Sequence, residues 1–260
     1  ADRSAFIVGI GGGIVCDITG FVASTFLRGV RFGFVASTLL AQVDASVGGK
    51  NGVNFKGYKN MVGLFHQPEF VICDPELLKT LPRKEISCGL AEIVKHGAIA
   101  DADLFAYLEQ QAEDILALDR KAIEKLVLAS LGIKSSIVKR DETEKGERRL
   151  LNFGHTFGHA IEKVTGVAHG EAVSMGMVIA SALSVKKDLL SAEEDQRLRA
   201  VMQNLKLPTR LAAHPQKILD AIAKDKKREA DQIHFVLLNG IGSARVDQLT
   251  LEELKGALNE

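Results

Sequence analysis

Short apolar runs open the chain and then give way to helical periodicity, and that change sets the expected architecture. Phe6-Ile7-Val8-Gly9-Ile10 is apolar, rich in β formers and stopped by Gly11-Gly12-Gly13, which predicts a buried strand feeding a glycine loop. A helical pattern follows from Asp17 to Leu27 and closes at Arg28-Gly29. A second buried strand runs over Phe32 to Ala36, ahead of Ser37-Thr38. Strand, loop, helix and strand in that order are the rhythm of a βαβ unit with a parallel sheet. Residues 44–68 are rich in Gly, Asn and Lys without a clean period and are expected to form a long loop, a feature that is often functional in a compact domain. Phe70 to Cys73 is a last short strand.

Beyond Pro75 the period changes, and helices are expected from about Arg83 to Lys224. This places a boundary near Asp74, with an α/β domain over 1–74 and a mainly α-helical domain over 75–260. A late β pair, Ile233 to Leu238 and Ala244 to Val246, precedes a terminal helix from about Leu251.

Composition narrows the function classes. Lys+Arg and Asp+Glu balance at 33 each, so no overall field favours nucleic acid or an anionic membrane. Tryptophan is absent and aromatics are 5% of residues, which argues against base-stacking surfaces. No run approaches the roughly 20 apolar residues that span a bilayer. Ala1-Asp2-Arg3-Ser4 lacks the layout of a signal peptide, and the apolar run that follows so soon suggests that sequence is missing upstream. The three cysteines, Cys16, Cys73 and Cys88, are far apart and fit buried thiols in a reducing cytoplasm.

Three groups of residues carry candidate chemistry. Gly11-Gly12-Gly13 between a strand and a helix can present backbone N–H groups to phosphate oxygens, although a tight turn needing positive φ would explain it as well. In Asn152-Phe153-Gly154-His155-Thr156-Phe157-Gly158-His159, the two histidines four apart share one helix face, and His169 follows in His169-Gly170-Glu171. Two or three imidazoles and one carboxylate suit a catalytic zinc that keeps a position open for substrate, and three histidines within fifteen residues outweigh a reading as caps and surface groups. Glu92 is a candidate carboxylate because Leu90, Ala91, Ile93 and Val94 around it are apolar, and a carboxylate in such company needs a partner. Its plain alternative is an exposed pair with Lys95. Finally, Lys50, Lys59 and Asn60 in the glycine-rich segment, Lys134, Arg148 and the pair Lys226-Lys227 could hold a phosphate and a carboxylate if they converge.

In order along the chain, Gly11-Gly12-Gly13-Ile14-Val15-Cys16-Asp17, Leu27-Arg28-Gly29, Ser37-Thr38-Leu39-Leu40-Ala41-Gln42-Val43-Asp44, Val47-Gly48-Gly49-Lys50, Lys59-Asn60, Leu90-Ala91-Glu92-Ile93-Val94-Lys95, Asn152-Phe153-Gly154-His155 and His169-Gly170-Glu171-Ala172-Val173 resemble the 3-dehydroquinate synthases of the shikimate pathway. The resemblance extends to Asp225-Lys226-Lys227. It implies that Glu92, His155 and His169 ligate zinc, with cobalt as the alternative metal, and that His159 handles protons and phosphate instead of metal. Glu144 matches a proton acceptor. Arg28, Asp44, Lys50, Asn60, Lys95, Lys134, Arg148, Asn152 and Lys226 match substrate-binding positions. Gly12, Gly13, Asp17, Ser37, Thr38, Lys59 and the stretch Leu77, Leu78, Lys79 and Thr80 match NAD contacts.

The fold class implied is α/β, with a partial Rossmann-like nucleotide-binding domain followed by a mainly helical metal- and substrate-binding domain. Arg28 reaches a neighbouring subunit's site in the family, which implies a homodimer. The implied reaction is carbon–oxygen lyase chemistry on a small sugar acid phosphate, 3-deoxy-D-arabino-heptulosonate 7-phosphate, which cyclises with loss of phosphate. Cys16 and Ala36-Ser37 replace a glycine and a Pro-Thr usual in the family, and Asn51 stands where threonine is common. Family members carry roughly a hundred further residues upstream, a domain-sized piece. Sister sugar-phosphate cyclases, metal-dependent polyol dehydrogenases and a zinc-binding fragment without turnover are the competing expectations.

Overall fold

A computed structural model describes residues 1–56, 58–211, 214–226 and 232–258, with the side chains of residues 58, 59, 225 and 226 outside the description. In chain order the first elements are β1 (Phe6–Gly11), α1 (Gly13–Thr25), β2 (Arg31–Ala36), β3 (Lys50–Phe55), β4 (Tyr58–Phe65), β5 (Val71–Cys73) and α2 (Arg83–Ala100). There follow α3 (Ala102–Gln110), α4 (Ala112–Leu116), α5 (Arg120–Arg140), α6 (His155–Thr165), α7 (His169–Lys186), α8 (Ala192–Asn204), α9 (Pro215–Lys226), β6 (Ile233–Leu238), β7 (Ala244–Leu249) and α10 (Leu251–Gly256). The chain forms two compact units, Ala1–Gly89 with Leu118–Glu144, and Leu90–Ala117 with Lys145–Glu260. Residues 75–89 and 118–144 thus lie with the strands, a different partition from the expected division near Asp74.

In the first unit β1, β2 and β5 form a parallel sheet in that order, with Phe6 opposite Arg31 and Phe34 opposite Val71. This is the βαβ arrangement expected from the sequence. Helix α1 covers one face, where Cys16 and Ala23 meet Phe32, Phe34 and Ala36 in a small-residue core. The helix begins at Gly13, four residues before the expected start, because Gly12 takes an extended N-cap conformation and the glycine run hides the onset of periodicity. It stops at Thr25 because Leu27, Arg28 and Gly29 all take positive φ.

The expected long loop over 44–68 contains an antiparallel hairpin, β3 with β4, pairing Asn51 with Leu64, Gly52 with Gly63 and Val53 with Val62. Glycine, asparagine and lysine interrupt the β formers of its strands, Val53, Phe55, Tyr58, Val62 and Phe65, so propensity does not announce them. Close main-chain approach carries the pairing instead: a Cβ on Gly63 would lie 2.5 Å from the Asn51 carbonyl oxygen.

In the second unit the pair α6 and α7 is central. Helix α7 is buried nearly all round, from Gly170 through Ser184. Gly154, at φ +77°, precedes α6, and a Cβ there would meet Met177. A Cβ on Gly176 would lie 2.0 Å from the Gly154 carbonyl oxygen, so the two backbones touch where these glycines meet. Strands β6 and β7 form the expected late antiparallel pair. Strand β7 runs on to Leu249, past the expected end at Val246, since the polar Asp247 and Gln248 mask its last turn of the ladder. Among the described residues no helix is long and apolar enough to cross a membrane.

Candidate functional site

The histidines and Glu92 converge in the second unit. His155 opens α6 and His169 opens α7, so the glycine-mediated contact of these helices brings both imidazoles together, with ring centroids 5.5 Å apart. Helix α2 supplies Glu92, which is fully buried. Its Oε1 lies 3.2 Å from His169 Nε2 and 3.5 Å from His155 Nε2. One potential ligand atom from each of the three residues falls within 4.8 Å of the others. The reading of Glu92 as an exposed partner of Lys95 is therefore corrected: Lys95 does pair with Oε2, but both side chains are buried. His159 lies beside the trio, its ring 5.3 Å from that of His155 and 6.3 Å from that of His169. Of the three histidines, His155 and His169 are the ones whose Nε2 atoms face the Glu92 carboxylate.

The donor set suits a divalent cation. His155 Nδ1 contacts the Phe153 carbonyl oxygen at 3.1 Å, which fixes the tautomer that leaves Nε2 with a lone pair facing Glu92. Two imidazole nitrogens and one carboxylate are what a catalytic zinc takes from protein, with a position left for substrate. Electrostatics agree. Burial alone would raise the Glu92 carboxyl, but Lys95, His155 and His169 hold it well below the usual carboxylate range. Burial pushes His155 down to about 3, reinforced by Lys95 and the other histidines against the pull of Glu92. At His169 burial is outweighed by Glu162 and Glu92, and its pKa rises to about 10. Glu162 was not singled out in the sequence. The available signal was its place seven residues after His155 and three after His159, on their face of α6.

Elsewhere in this unit Arg148 is buried in the short helical turn Glu147–Asn152 and Asn152 closes that turn half-buried. Lys226 ends α9, but its side chain and all of Lys227 lie outside the described residues. A cleft of about 560 Å³ between this turn and the β6–β7 pair is lined by Glu147, Arg149, His234 and Gln248, with Arg149 2.9 Å from His234.

The first unit gathers the glycine loop and an acid–base group. Gly12 and Gly13 join β1 to α1, and a Cβ on Gly12 would lie 2.9 Å from Thr38, so the loop passes close to Ser37 and Thr38. Ser37 donates its N–H to the Gly11 carbonyl oxygen at 2.9 Å. Asp17 sits on the first turns of α1, and burial lifts it to about 6 while Lys134 opposes and Asp44 adds to the rise. Lys134 donates to both the side chain and the carbonyl oxygen of Asp44, at 2.6 Å each. Lys50 on β3 pairs with Glu144. Arg28 is exposed at φ +71°, and Asn60, at φ +51°, donates its backbone N–H to Asn54 Oδ1 at 3.1 Å. Leu78 is buried under the turn that also carries Leu77 and leads to Lys79 and Thr80, whereas the Lys59 side chain lies outside the description.

Comparison with known proteins agrees with this architecture. Residues 1–88 match the model of the 3-dehydroquinate synthase N-terminal domain, and residues 89–228 match that of the C-terminal domain. The chain is 45% identical over 251 residues to the 3-dehydroquinate synthase of Geobacter metallireducens, covering 95% of this chain and 70% of the relative. It is 45% identical over 256 residues to that of Thermoanaerobacter pseudethanolicus, covering 97% of this chain and 72% of the relative. The fold is similar to 2-epi-5-epi-valiolone synthase from Streptomyces hygroscopicus, solved with NAD+ and Zn2+, at TM-score 0.91 and 32% identity over 99% of this chain and 74% of that one. It is also similar to 2-deoxy-scyllo-inosose synthase, solved with carbaglucose-6-phosphate, NAD+ and Co2+, at TM-score 0.90 and 26% identity, with the same coverage of each chain. Two domain models met in sequence order, and relatives matched along nearly the whole chain, leave one conclusion: this chain belongs to the 3-dehydroquinate synthase family.

Proposed function

We propose that the chain converts 3-deoxy-D-arabino-heptulosonate 7-phosphate to 3-dehydroquinate with release of phosphate, as a carbon–oxygen lyase that uses NAD and zinc. The observation that carries this reading is the buried Glu92 flanked by His155 and His169, in a chain of this family. These three residues would hold the metal, and the Gly12-Gly13 loop with Ser37 and Thr38 would hold NAD. When bound, the ion serves as a Lewis acid on substrate hydroxyls and the nicotinamide takes up and returns a hydride, so net redox is zero.

The remaining roles fall to this chain's own groups. Lys95 neutralises Glu92 and fixes its carboxylate. Arg148, a buried cation with a planar fork, suits a carboxylate or phosphate of the substrate. Lys50, Lys134 and Lys226 supply further positive charge for a substrate with two anionic ends, and holding both ends aligns the reacting centre. Arg28, Asp44, Asn60 and Asn152 complete the contacts. Glu144, held by Lys50, accepts a proton, and the exposed His159 handles protons and phosphate. A cytoplasmic homodimer in which Arg28 serves the neighbouring subunit completes the reading.

The test is turnover by the purified chain given NAD and zinc. Inorganic phosphate and 3-dehydroquinate should form in equal amounts with no build-up of NADH. Build-up of NADH from polyols would mark a dehydrogenase instead, and turnover of a different sugar phosphate a sister cyclase. Zinc binding without any turnover would mark a binding fragment.

A further inference from the structure

We propose that Glu162 is the positioning residue for His169, the carboxylate that fixes the ring so that Nε2 is offered to the metal; this rests on the reading of Glu92, His155 and His169 as metal ligands. Helix α6 carries His155, His159 and Glu162 at spacings of four and three, which places them on one face. Gly166, at φ +72°, turns the chain out of α6, and three residues later His169 begins α7. The turn returns His169 to the α6 face, where Glu162 Oε2 lies 3.5 Å from Nδ1. The same ring presents Nε2 to Glu92 Oε1 at 3.2 Å. His169 is therefore held between two carboxylates by its two nitrogens. The next acid on α7, Glu171, is turned away, its Oε2 accepting the Ala168 N–H at 2.9 Å.

A neutral imidazole has one N–H and one lone pair, and a carboxylate at Nδ1 assigns the N–H to that side. The lone pair is then on Nε2, and the negative partner also strengthens that nitrogen as a ligand. His155 achieves the same with the Phe153 backbone carbonyl, which no substitution of a side chain removes. At His169 the anchor is a side chain. The contribution can thus be tested without changing a ligand.

Glu162→Ala and Glu162→Gln would be compared with the unaltered protein for zinc affinity, by competition with a chromophoric chelator, and for the visible spectrum of the cobalt-loaded form. E162A should weaken zinc binding by about 10- to 100-fold and alter the cobalt bands. E162Q keeps an oxygen that accepts the Nδ1–H, so it should retain most of the affinity and the unaltered spectrum. If E162A does not fold, Glu162→Leu, similar in volume and without an acceptor, takes its place against E162Q. Affinity and spectrum unchanged in E162A would overturn the proposal, even if its metal-free melting temperature falls, because that outcome describes a merely structural residue. Failure of the folded, unaltered protein to bind zinc or cobalt would sink the metal reading itself, and this inference with it.

Discussion

Glu92 and Lys95 stand one turn apart on α2 and form an ion pair with both side chains almost wholly shielded from water, at 0% and 2% exposure. Neither charge could be kept there alone. Removing one member of a buried pair costs about 3–5 kcal/mol, because the other is left uncompensated. Lys95→Ala should therefore lower the melting temperature of metal-free protein by about 6–20 °C, at roughly 2–4 °C per kcal/mol for a chain of this size. Added zinc should restore part of the loss, since it offers Glu92 a second positive partner. The double variant E92L/K95M should recover much of the stability and lose zinc binding altogether. Thermal unfolding with zinc and with chelator checks all three, and a harmless K95A would show that the pair does not stabilise the core.

The two histidines that face Glu92 pull the metal-free protein's stability in opposite directions with pH. His169, raised to about 10, stabilises fully below its unfolded value near 6.5, and this contribution is lost as pH rises towards 10. His155, lowered to about 3, is unprotonated in the folded state while the unfolded chain takes up a proton below about 6.5, so stability falls as pH drops from there towards 3. Melting temperatures in chelator should peak near pH 6.5. His169→Gln should flatten the alkaline side and His155→Gln the acid side. Zinc must displace the His169 proton, so its affinity should climb with pH up to about 10. A profile indifferent to both substitutions would refute this assignment.

Glycines on two helices give a contrasting pair of substitutions. A Cβ at Gly176 would lie 2.0 Å from the Gly154 carbonyl oxygen and 2.8 Å from the Gly158 nitrogen, both main-chain atoms that cannot rotate away. Gly176→Ala should cost about 3 kcal/mol or more and weaken zinc binding, because it drives apart the helices that carry His155 and His169. At Gly132 on α5, no atom of the described residues beyond the helix's own backbone lies within 4 Å of the same position. Gly132→Ala should stabilise by up to about 1 kcal/mol through helix propensity. Denaturant midpoints of the two variants settle both expectations.

Asp17 bears on the glycine loop. Its pKa of about 6 means that the folded state holds a proton that the unfolded chain has released, between about 3.8 and 6, so stability declines as pH rises through that interval. Asp17→Asn should raise the melting temperature by several degrees at pH 8 and change it little below about pH 4. NAD affinity, measured calorimetrically, should fall in the same variant if Asp17 contacts the nucleotide. Stabilisation at both pH values alike would show that ionisation is not the cause.

Arg148→Lys keeps the buried charge and gives up the planar fork. It should lower kcat/KM by about 10-fold or more, the range for a lost charge-assisted hydrogen bond, with little change in melting temperature. Unaltered kcat/KM would remove Arg148 from substrate binding.

What the sequence made legible follows from the range of the interactions involved. The β1–loop–α1–β2 unit is local, and its apolar runs and glycine stop are written in adjacent residues. The histidines lie within fifteen residues, so helical spacing brought His155 and His159 to one face but said nothing of where His169 returns. Choosing between His159 and His169 required the turn at Gly166, whose direction no periodicity records. The β3–β4 hairpin was hidden because glycines, asparagines and lysines interrupt its few β formers, and the opposed Gly52 and Gly63 are paired by long-range contact and not by local pattern. The pairs Lys134–Asp44 and Lys50–Glu144 join residues 90 and 94 apart in the chain, and only folding makes them neighbours. Glu162 was in plain view and passed over, because a carboxylate on a helix surface looks like any other until the ring beside it is placed.

The main-chain contact between α6 and α7 also limits how this protein can diverge. Side-chain packing offers a lineage many near-equivalent solutions, since a lost methyl group at one position can be regained at another. Where Gly154, Gly158 and Gly176 meet there is no volume to trade, because each added carbon would run into backbone atoms or into α7 itself. Mutation can therefore reshape the surroundings of His155 and His169 over long periods while their spacing stays fixed. The groups around these two histidines are free to drift much sooner than the distance between the two rings is free to change.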